Sequence, residues 1–345
     1  MGLHDDAQPL SVSDDRLGWI GVAEFVPAPD GYHEPWRLPH DEVLAIGNDY
    51  LTHRAGQPAG SRMRFHTDAA GVRLDLRAEE SSGPLDLLID ERLEQRVRVD
   101  GTRGVVGIEW GRNDGVVELW LPHSGRVGIR SIQLVGGSQL VPAAPRLKWA
   151  AYGSSITQCA DAPGPTETWP ALVSRRQEWD LRDLGFAGAC YLHPLVAEEI
   201  TREAPDLAFL CVGINIWERA THDADSLHTA LLRFLEVVAR SSRAIVVMSP
   251  LVSPDRESAP NAVGLTLAAV RAIVERTARA ARSRFGIPVH RIDGLGVFDA
   301  GEMHLFRDGL HPTPEGYAVM AERLAPLLGA IAPPAIERGS RAVPH

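Results

Sequence analysis

The segment LKWAAYGSSIT, residues 147–157, indicates the architecture of the second half of the chain. Its first six residues form a short, mainly apolar run, which is typical of a β-strand buried on both faces of a parallel sheet. A glycine then permits a sharp turn. Further apolar runs alternate with helical patterns: we predict strands at 207–212 and 245–248, and helices at 168–177, 225–240, 265–285 and 314–328. This alternation predicts an α/β domain whose mainly parallel sheet is covered by helices on both faces.

The preceding part of the chain follows a different pattern. Between residues 62 and 134 apolar residues tend to alternate with polar ones, and Gly-rich or Asp/Asn turns separate the runs. A period of two indicates half-buried strands. We predict strands around 63–65, 72–76, 85–89, 97–99, 116–121 and 127–134. Several short strands in succession predict an antiparallel β-sandwich of the jelly-roll type.

The chain has 345 residues, which exceeds the usual size of one domain. Pro142, Pro145 and the small residues between them indicate a linker where the two patterns meet. We therefore predict an N-terminal β-sandwich domain at 1–145 and an α/β domain at 146–331. The last stretch, 332–345, contains Pro and Arg and is predicted to be a flexible tail.

The composition argues against several classes of partner. The formal net charge of −10 gives no basic patch for nucleic acid or an anionic membrane surface, so a small-molecule partner fits better. The first 19 residues carry acids and no continuous apolar stretch, so we expect no signal peptide or membrane anchor, and a cytoplasmic location. Cys159, Cys190 and Cys211 form no disulfide framework or metal-ligand spacing, so we expect reduced thiols and no metal.

Two segments carry candidate catalytic residues. Ser155 follows a predicted buried strand, and Asp308-Gly-Leu-His311-Pro precedes the last predicted helix. A serine hydroxyl is a poor nucleophile until an imidazole takes its proton, and a carboxylate can hold that imidazole in the useful tautomer. Ser155, His311 and Asp308 have the right groups for these roles. The alternative is that Asp308 caps a turn and His311 is an ordinary loop residue.

Two further segments contain residues that could stabilise an oxyanion. Gly188 ends the string LGFAG after a short strand candidate, and Asn215 follows another predicted strand in VGIN. A backbone N–H and a side-chain amide are the kinds of donor that acyl transfer requires. Read singly, Gly188 is more often a turn glycine and Asn215 more often a cap. Their places at strand ends, where α/β folds bring loops together, favour a shared site.

The order Ser, Gly, Asn, then Asp and His resembles the SGNH/GDSL hydrolase family over residues 146–328. The block DGLHPT, residues 308–313, carries the strongest resemblance. It implies a flavodoxin-like three-layer α/β/α domain with Ser155 as nucleophile, His311 as general base and Asp308 as the acid that orients it. It also implies an oxyanion hole formed by the backbone N–H groups of Ser155 and Gly188 and the side chain of Asn215. No cofactor is required.

The chain departs from the family pattern at Ser154, where an acid is common, and at Ile216, where Asp is common. The strings YGSSITQ and LGFAG look like a branch in which a β-sandwich precedes the hydrolase domain, as in several carbohydrate esterases. The resemblance predicts hydrolysis of a short-chain, especially acetyl, ester on a sugar or glycosylated metabolite. Acyl transfer with the same triad and non-catalytic carbohydrate binding remain alternatives. Trp217 either walls the substrate pocket or packs in the core.

Overall fold

The computed structural model describes residues 9–111 and 115–334. The predicted tail at 332–345 therefore lies outside the described residues from position 335 onward. The strands are β1 Glu24–Pro27, β2 His33–Trp36, β3 Arg62–Thr67, β4 Gly71–Ala78, β5 Leu85–Ile89, β6 Arg92–Val97, β7 Arg103–Glu109, β8 Val116–Trp120, β9 Val127–Val135, β10 Leu140–Pro142, β11 Leu147–Gly153, β12 Trp179–Gly185, β13 Leu207–Cys211, β14 Ala244–Met248 and β15 Val289–Ile292. The α-helices are α1 His40–Ile46, α2 Asp49–Ala55, α3 Ser155–Gln158, α4 Trp169–Gln177, α5 Pro194–Glu203, α6 Ile214–Arg219, α7 Ala224–Val238, α8 Pro254–Glu257, α9 Leu267–Arg282 and α10 Pro314–Ile331.

The second half of the chain forms the predicted three-layer α/β/α domain. Its sheet has the order β12-β11-β13-β14-β15, and every neighbouring pair is parallel. This is the flavodoxin-like 2-1-3-4-5 order, so that prediction is confirmed. Alternate side chains of β11 enter opposite cores: Trp149 packs with α4 and α10, whereas Tyr152 packs with α5, α7 and α9. The sheet thus directs its carboxyl ends, where β11 stops at Gly153, toward one set of loops.

The first half contains two five-stranded sheets, as the β-sandwich prediction requires. Their orders are β1-β2-β9-β4-β7 and β10-β3-β8-β5-β6, and the strand pairs are antiparallel. Apolar side chains from both sheets share one core, including Phe65 of β3 and Leu74 of β4. The strand predicted at 97–99 was wrong in its bounds, because β6 ends at Val97. The next strand, β7, escaped prediction because its side chains are largely exposed and give no clear apolar alternation.

Helices α1 and α2 belong to the N-terminal half in sequence but pack against the α/β domain. Their apolar side chains enter the core on the α5 and α7 side of the parallel sheet: Val43, Leu51 and Ala55. The buried Arg37 reinforces this contact by donating hydrogen bonds to the backbone oxygens of Asp183 (3.1 Å) and Gly185 (2.8 Å). The segment around α2 is therefore anchored beside the carboxyl end of β12.

Gly185, the last residue of β12, lies directly against the helix that begins with Ser155. A Cβ atom on Gly185 would lie 2.4 Å from the backbone nitrogen of Gln158, so an added methyl group has no space unless α3 moves. We expect Gly185→Ala to lower the free energy of unfolding by about 2–3 kcal/mol, the usual cost of overpacking. Urea unfolding would measure it. Gly107→Ala in β7 is the matched control, because its Cβ would meet no atom within 4 Å, and equal losses in both variants would contradict the prediction.

Candidate active site

Ser155 lies at the first position of α3, immediately after β11 ends. Ser154 caps this helix, and its hydroxyl accepts a hydrogen bond from the backbone N–H of Ile156 (3.3 Å). The indole of Trp169 donates to the backbone oxygen of Ile156 (2.9 Å), and Trp169 is fully buried in the core. The short helix is thus fixed at both its cap and its backbone, which holds the Ser155 side chain at the edge of the sheet.

The loop that precedes α10 brings His311 to Ser155. Nε2 of His311 lies 2.8 Å from the hydroxyl oxygen of Ser155, and Nδ1 lies 2.8 Å from Oδ2 of Asp308. The loop folds back on itself, since the N–H of Arg307 donates to the oxygen of His311 (2.9 Å), and Gly309 takes a positive φ of 70°. The three predicted residues therefore form one continuous chain of hydrogen-bonding groups.

Asp308 is held in its ionised form by the groups around it. Burial raises its pKa, but the backbone N–H and the ring of His311 and the guanidinium of Arg307 outweigh this effect and hold the pKa well below its usual range. Its Oδ1 accepts the N–H of His311 (2.8 Å) and of Leu310 (3.1 Å), which leaves Oδ2 for the ring. The carboxylate thus favours the tautomer in which Nδ1 carries hydrogen and Nε2 is free to accept a proton.

Asn215 lies in α6 after β13 and is almost completely buried. Its Oδ1 accepts the backbone N–H of Cys190 (3.2 Å), which fixes which way the amide faces. The Nδ2 group makes a long contact of 3.5 Å with Glu218. The NH2 group carries two hydrogens, so one of them can donate to a ligand in addition to the long contact with Glu218.

Gly188 lies in a turn that is hydrogen-bonded both to the end of β11, next to Ser155, and to Asn215. The N–H of Phe186, two residues before it, donates to the oxygen of Gly153 (2.8 Å) beside the serine helix, and Cys190 bonds Asn215 as described. Gly188 has a φ of 71°, a conformation that favours glycine. Within the described residues, the backbone N–H groups of Ser155 and Gly188 have no hydrogen-bond partner, so both can donate to a ligand.

Trp217 is half-buried and packs against the apolar cores on both faces of the sheet. Its backbone oxygen accepts a hydrogen bond from Asn261 (2.9 Å), and the guanidinium of Arg256 lies 5.8 Å from its ring centroid. The side chain therefore contributes to packing beside Asn215, while its role in a pocket stays a prediction. Across residues 9–111 and 115–334 no group of three His, Cys, Asp or Glu residues is arranged to hold a metal ion.

Helix α2 contributes residues to this region that no pattern in the sequence indicated. Tyr50 is 53% exposed, and its Cδ1 would lie 3.8 Å from a Cβ on Gly188. The ring of Tyr50 lies under the guanidinium of Arg219, 4.8 Å from its centroid. Arg54 donates to the oxygen of Ala187 (3.2 Å). These contacts join positions more than 130 residues apart and follow no local pattern.

Two family models match the chain and together account for both halves of it. Residues 151–319 match the GDSL-like lipase/acylhydrolase family, and residues 21–130 match the SsfX3 N-terminal domain. The chain carries a GDSL-like lipase/acylhydrolase domain. The predicted resemblance is thereby confirmed, and the GDSL-like domain places the protein among enzymes of acyl-ester hydrolysis or acyl transfer.

Solved two-domain structures resemble most of the chain. The salicylyl-acyltransferase SsfX3 from a tetracycline biosynthetic pathway is 25% identical, with a TM-score of 0.85, and the match covers 95% of this chain and 98% of that one. A family two carbohydrate esterase from Cellvibrio japonicus is 15% identical, with a TM-score of 0.66 and coverage of 94% and 98%. One from Clostridium thermocellum in complex with cellohexaose is 16% identical, with a TM-score of 0.56 and coverage of 78% and 91%. These two esterases share the fold.

A search of curated proteins found no match to this chain. Among the helices of the described part of the chain, none combines the length and the apolar character that crossing a bilayer demands.

Proposed function

We propose that the protein is a serine esterase that cleaves a short-chain acyl ester, especially an acetyl ester, through an acyl-enzyme on Ser155. The observation that carries this proposal is the chain of contacts from Ser155 to His311 to Asp308, each 2.8 Å long. As the Ser155 oxygen attacks the ester carbonyl, His311 takes its proton and then delivers it to the departing alcohol. Water, deprotonated by His311, releases the acyl group as a carboxylic acid and restores the serine.

The proposed oxyanion hole consists of the N–H groups of Ser155 and Gly188 and the Nδ2 group of Asn215. Its support is the availability of these three donors on loops that are hydrogen-bonded to one another. Donors that are already fixed before the reaction stabilise the developing negative charge without a cost of reorganisation. We assign Trp217 to the wall of the acyl or sugar pocket, because it lies in the same helix as Asn215.

We further propose that the natural ester is carried by a sugar or a glycosylated metabolite. The support is the shared two-domain fold with carbohydrate esterases, one of which was solved with cellohexaose.

Acyl transfer is the second candidate, and a specific observation favours it. The acyltransferase SsfX3 matches over nearly the full length of both chains and with a TM-score of 0.85. The acyl-enzyme on Ser155 would be the same, but an acceptor hydroxyl would replace water as the group that attacks it. The outcome depends on how well the site binds the acceptor and excludes water.

The test is a measurement of the products from p-nitrophenyl acetate, butyrate and octanoate, first in buffer and then with sugars or phenolic alcohols as acceptors. An esterase releases free acid in a yield that acceptors leave unchanged, with rates that fall as the acyl chain lengthens. A transferase diverts the acyl group to one acceptor class and does so in a saturable manner. Acetate release from peracetylated sugars then tests the sugar. Absence of turnover with every ester and acceptor, in folded protein, would refute both candidates.

A further inference from the structure

The peptide unit between Ala187 and Gly188 contains both the proposed oxyanion donor and an acceptor on its other side. In a trans peptide the C=O of one residue and the N–H of the next point in opposite directions within one plane. A group that fixes the oxygen of Ala187 therefore also fixes the direction of the Gly188 N–H. That oxygen accepts a hydrogen bond from Nε of Arg54, at 3.2 Å.

Arg54 is part of a closed ring of hydrogen bonds around this turn. Nη1 of Arg54 donates to Oε1 of Gln57 (3.1 Å), which also accepts a hydrogen bond from Nε2 of Gln158 (2.6 Å). Oε1 of Gln158 in turn accepts the N–H of Ala187 (3.0 Å). Both backbone groups of Ala187 are thus held, the N–H from the serine helix α3 and the C=O from helix α2 of the N-terminal half.

The charge of Arg54 adds to this geometric effect. Within the described residues no carboxylate forms an ion pair with Arg54, so its positive charge is not neutralised by a nearby acid. A charged donor forms a stronger hydrogen bond than a neutral one, and a hydrogen bond to C=O polarises the N–H of the same peptide. The Gly188 N–H becomes a better donor toward an oxyanion as a result.

We propose that Arg54 is a positioning residue for the oxyanion hole, so that the N-terminal half of the chain takes part in transition-state stabilisation without touching the substrate. This inference depends on the proposed function, because it presupposes that the Gly188 N–H binds an oxyanion. It predicts an effect on kcat more than on KM, since the oxyanion forms only after the ester is bound.

The experiment compares Arg54→Met with Arg202→Met in the full chain. Arg202 also joins the two halves, through an ion pair with Glu42 of α1 (2.8 Å), but it does not bond the Ala187 turn. Both changes keep an unbranched apolar stem and remove the guanidinium. We expect kcat for p-nitrophenyl acetate to fall about tenfold in Arg54→Met. This loss is smaller than the roughly 10²–10³-fold loss in kcat that is typical when an oxyanion-hole donor itself is removed. KM should change less than twofold, and Arg202→Met should behave like the wild type.

Inhibition by phenylboronic acid provides a readout that a purely structural role would not change. The Ser155 oxygen adds to the trigonal boron while His311 takes its proton, which gives an anionic tetrahedral adduct similar to the transition state. We expect Arg54→Met to weaken this inhibition about tenfold, in parallel with kcat. Arg54→Lys keeps the cation and should recover part of both losses.

The outcomes separate this inference from the proposed function. If the wild type neither hydrolyses esters nor is inhibited by phenylboronic acid, the proposed function fails. If the wild type does both, and Arg54→Met has the kcat and inhibition of Arg202→Met, the inference alone is overturned. Arg54→Gln replaces Arg54→Met should the apolar variant not fold, and an unchanged kcat in Arg54→Gln overturns the inference equally.

Discussion

Ser155→Ala should lower kcat for every ester by at least about 10⁴-fold, because no acyl-enzyme can form without the hydroxyl. The side chain makes one described hydrogen bond, to His311, so its loss leaves the capped helix α3 intact. The measurement is release of p-nitrophenol at saturating ester, together with a thermal unfolding curve. An unchanged unfolding midpoint with no turnover is the expected pair of results.

Ser154→Ala is the matched control for this experiment. Ser154 is adjacent and fully buried, but its hydroxyl caps α3 by accepting the N–H of Ile156. Loss of such a cap costs about 1 kcal/mol of stability and leaves the nucleophile in place. Turnover should therefore survive in Ser154→Ala and disappear in Ser155→Ala. Substantial turnover in Ser155→Ala would show that another residue acts as the nucleophile.

The sequence predicted the strands and loops whose patterns are local. Strand β11 is buried from Trp149 to Gly153, so it appears as a mainly apolar run at 147–152 in which Lys148 is the charged residue. Asp308 and His311 are three residues apart, and the structure shows that one loop is enough to pair them. Gly188 and Asn215 were predicted from their places at strand ends together with the family resemblance, since a single glycine and a single asparagine carry little information of their own.

Strand β12 shows why other parts of the fold were harder to predict. It has the sequence WDLRDLG, and every residue in it is buried although three carry charges. The partners of these charges lie far away in the sequence: Asp180 with Arg62 (3.6 Å), Arg182 with Glu199 (2.7 Å) and Asp183 with Arg37 (3.8 Å). A charged segment is a poor candidate for a buried strand unless these partners are known.

The packing of α2 against the Gly188 turn could also not be predicted from the sequence. Tyr50 and Arg54 lie in a short helix whose neighbours in sequence belong to the β-sandwich half. Their contacts with the turn depend on how the two halves dock, which no periodicity of apolar residues records. The N-terminal half therefore contributes side chains close to the proposed oxyanion hole, a feature that only the three-dimensional arrangement reveals.

Asp308→Asn should lower kcat by about 10²–10⁴-fold while the loop keeps its conformation. An asparagine oxygen can still accept the N–H groups of His311 and Leu310 that Oδ1 accepts now. The second oxygen becomes an NH2 group that faces Nδ1 of His311, and a donor there favours the tautomer with hydrogen on Nε2. That tautomer cannot take the proton of Ser155, so the loss arises from a wrong tautomer and not from a misplaced ring.

Asp161→Asn is the control, because Asp161 also pairs with Arg307, the residue that contacts Asp308. It removes one negative charge from the cluster formed by Asp161, Arg307 and Asp308 without changing the group that faces His311. We expect kcat within a few-fold of the wild type in Asp161→Asn and a loss of at least about 100-fold in Asp308→Asn. Steady-state kinetics between pH 6 and 9 would measure both, since the lowered pKa of Asp308 keeps its carboxylate ionised throughout. Equal, small losses in the two variants would show that the negative charge of the cluster matters and the contact with His311 does not.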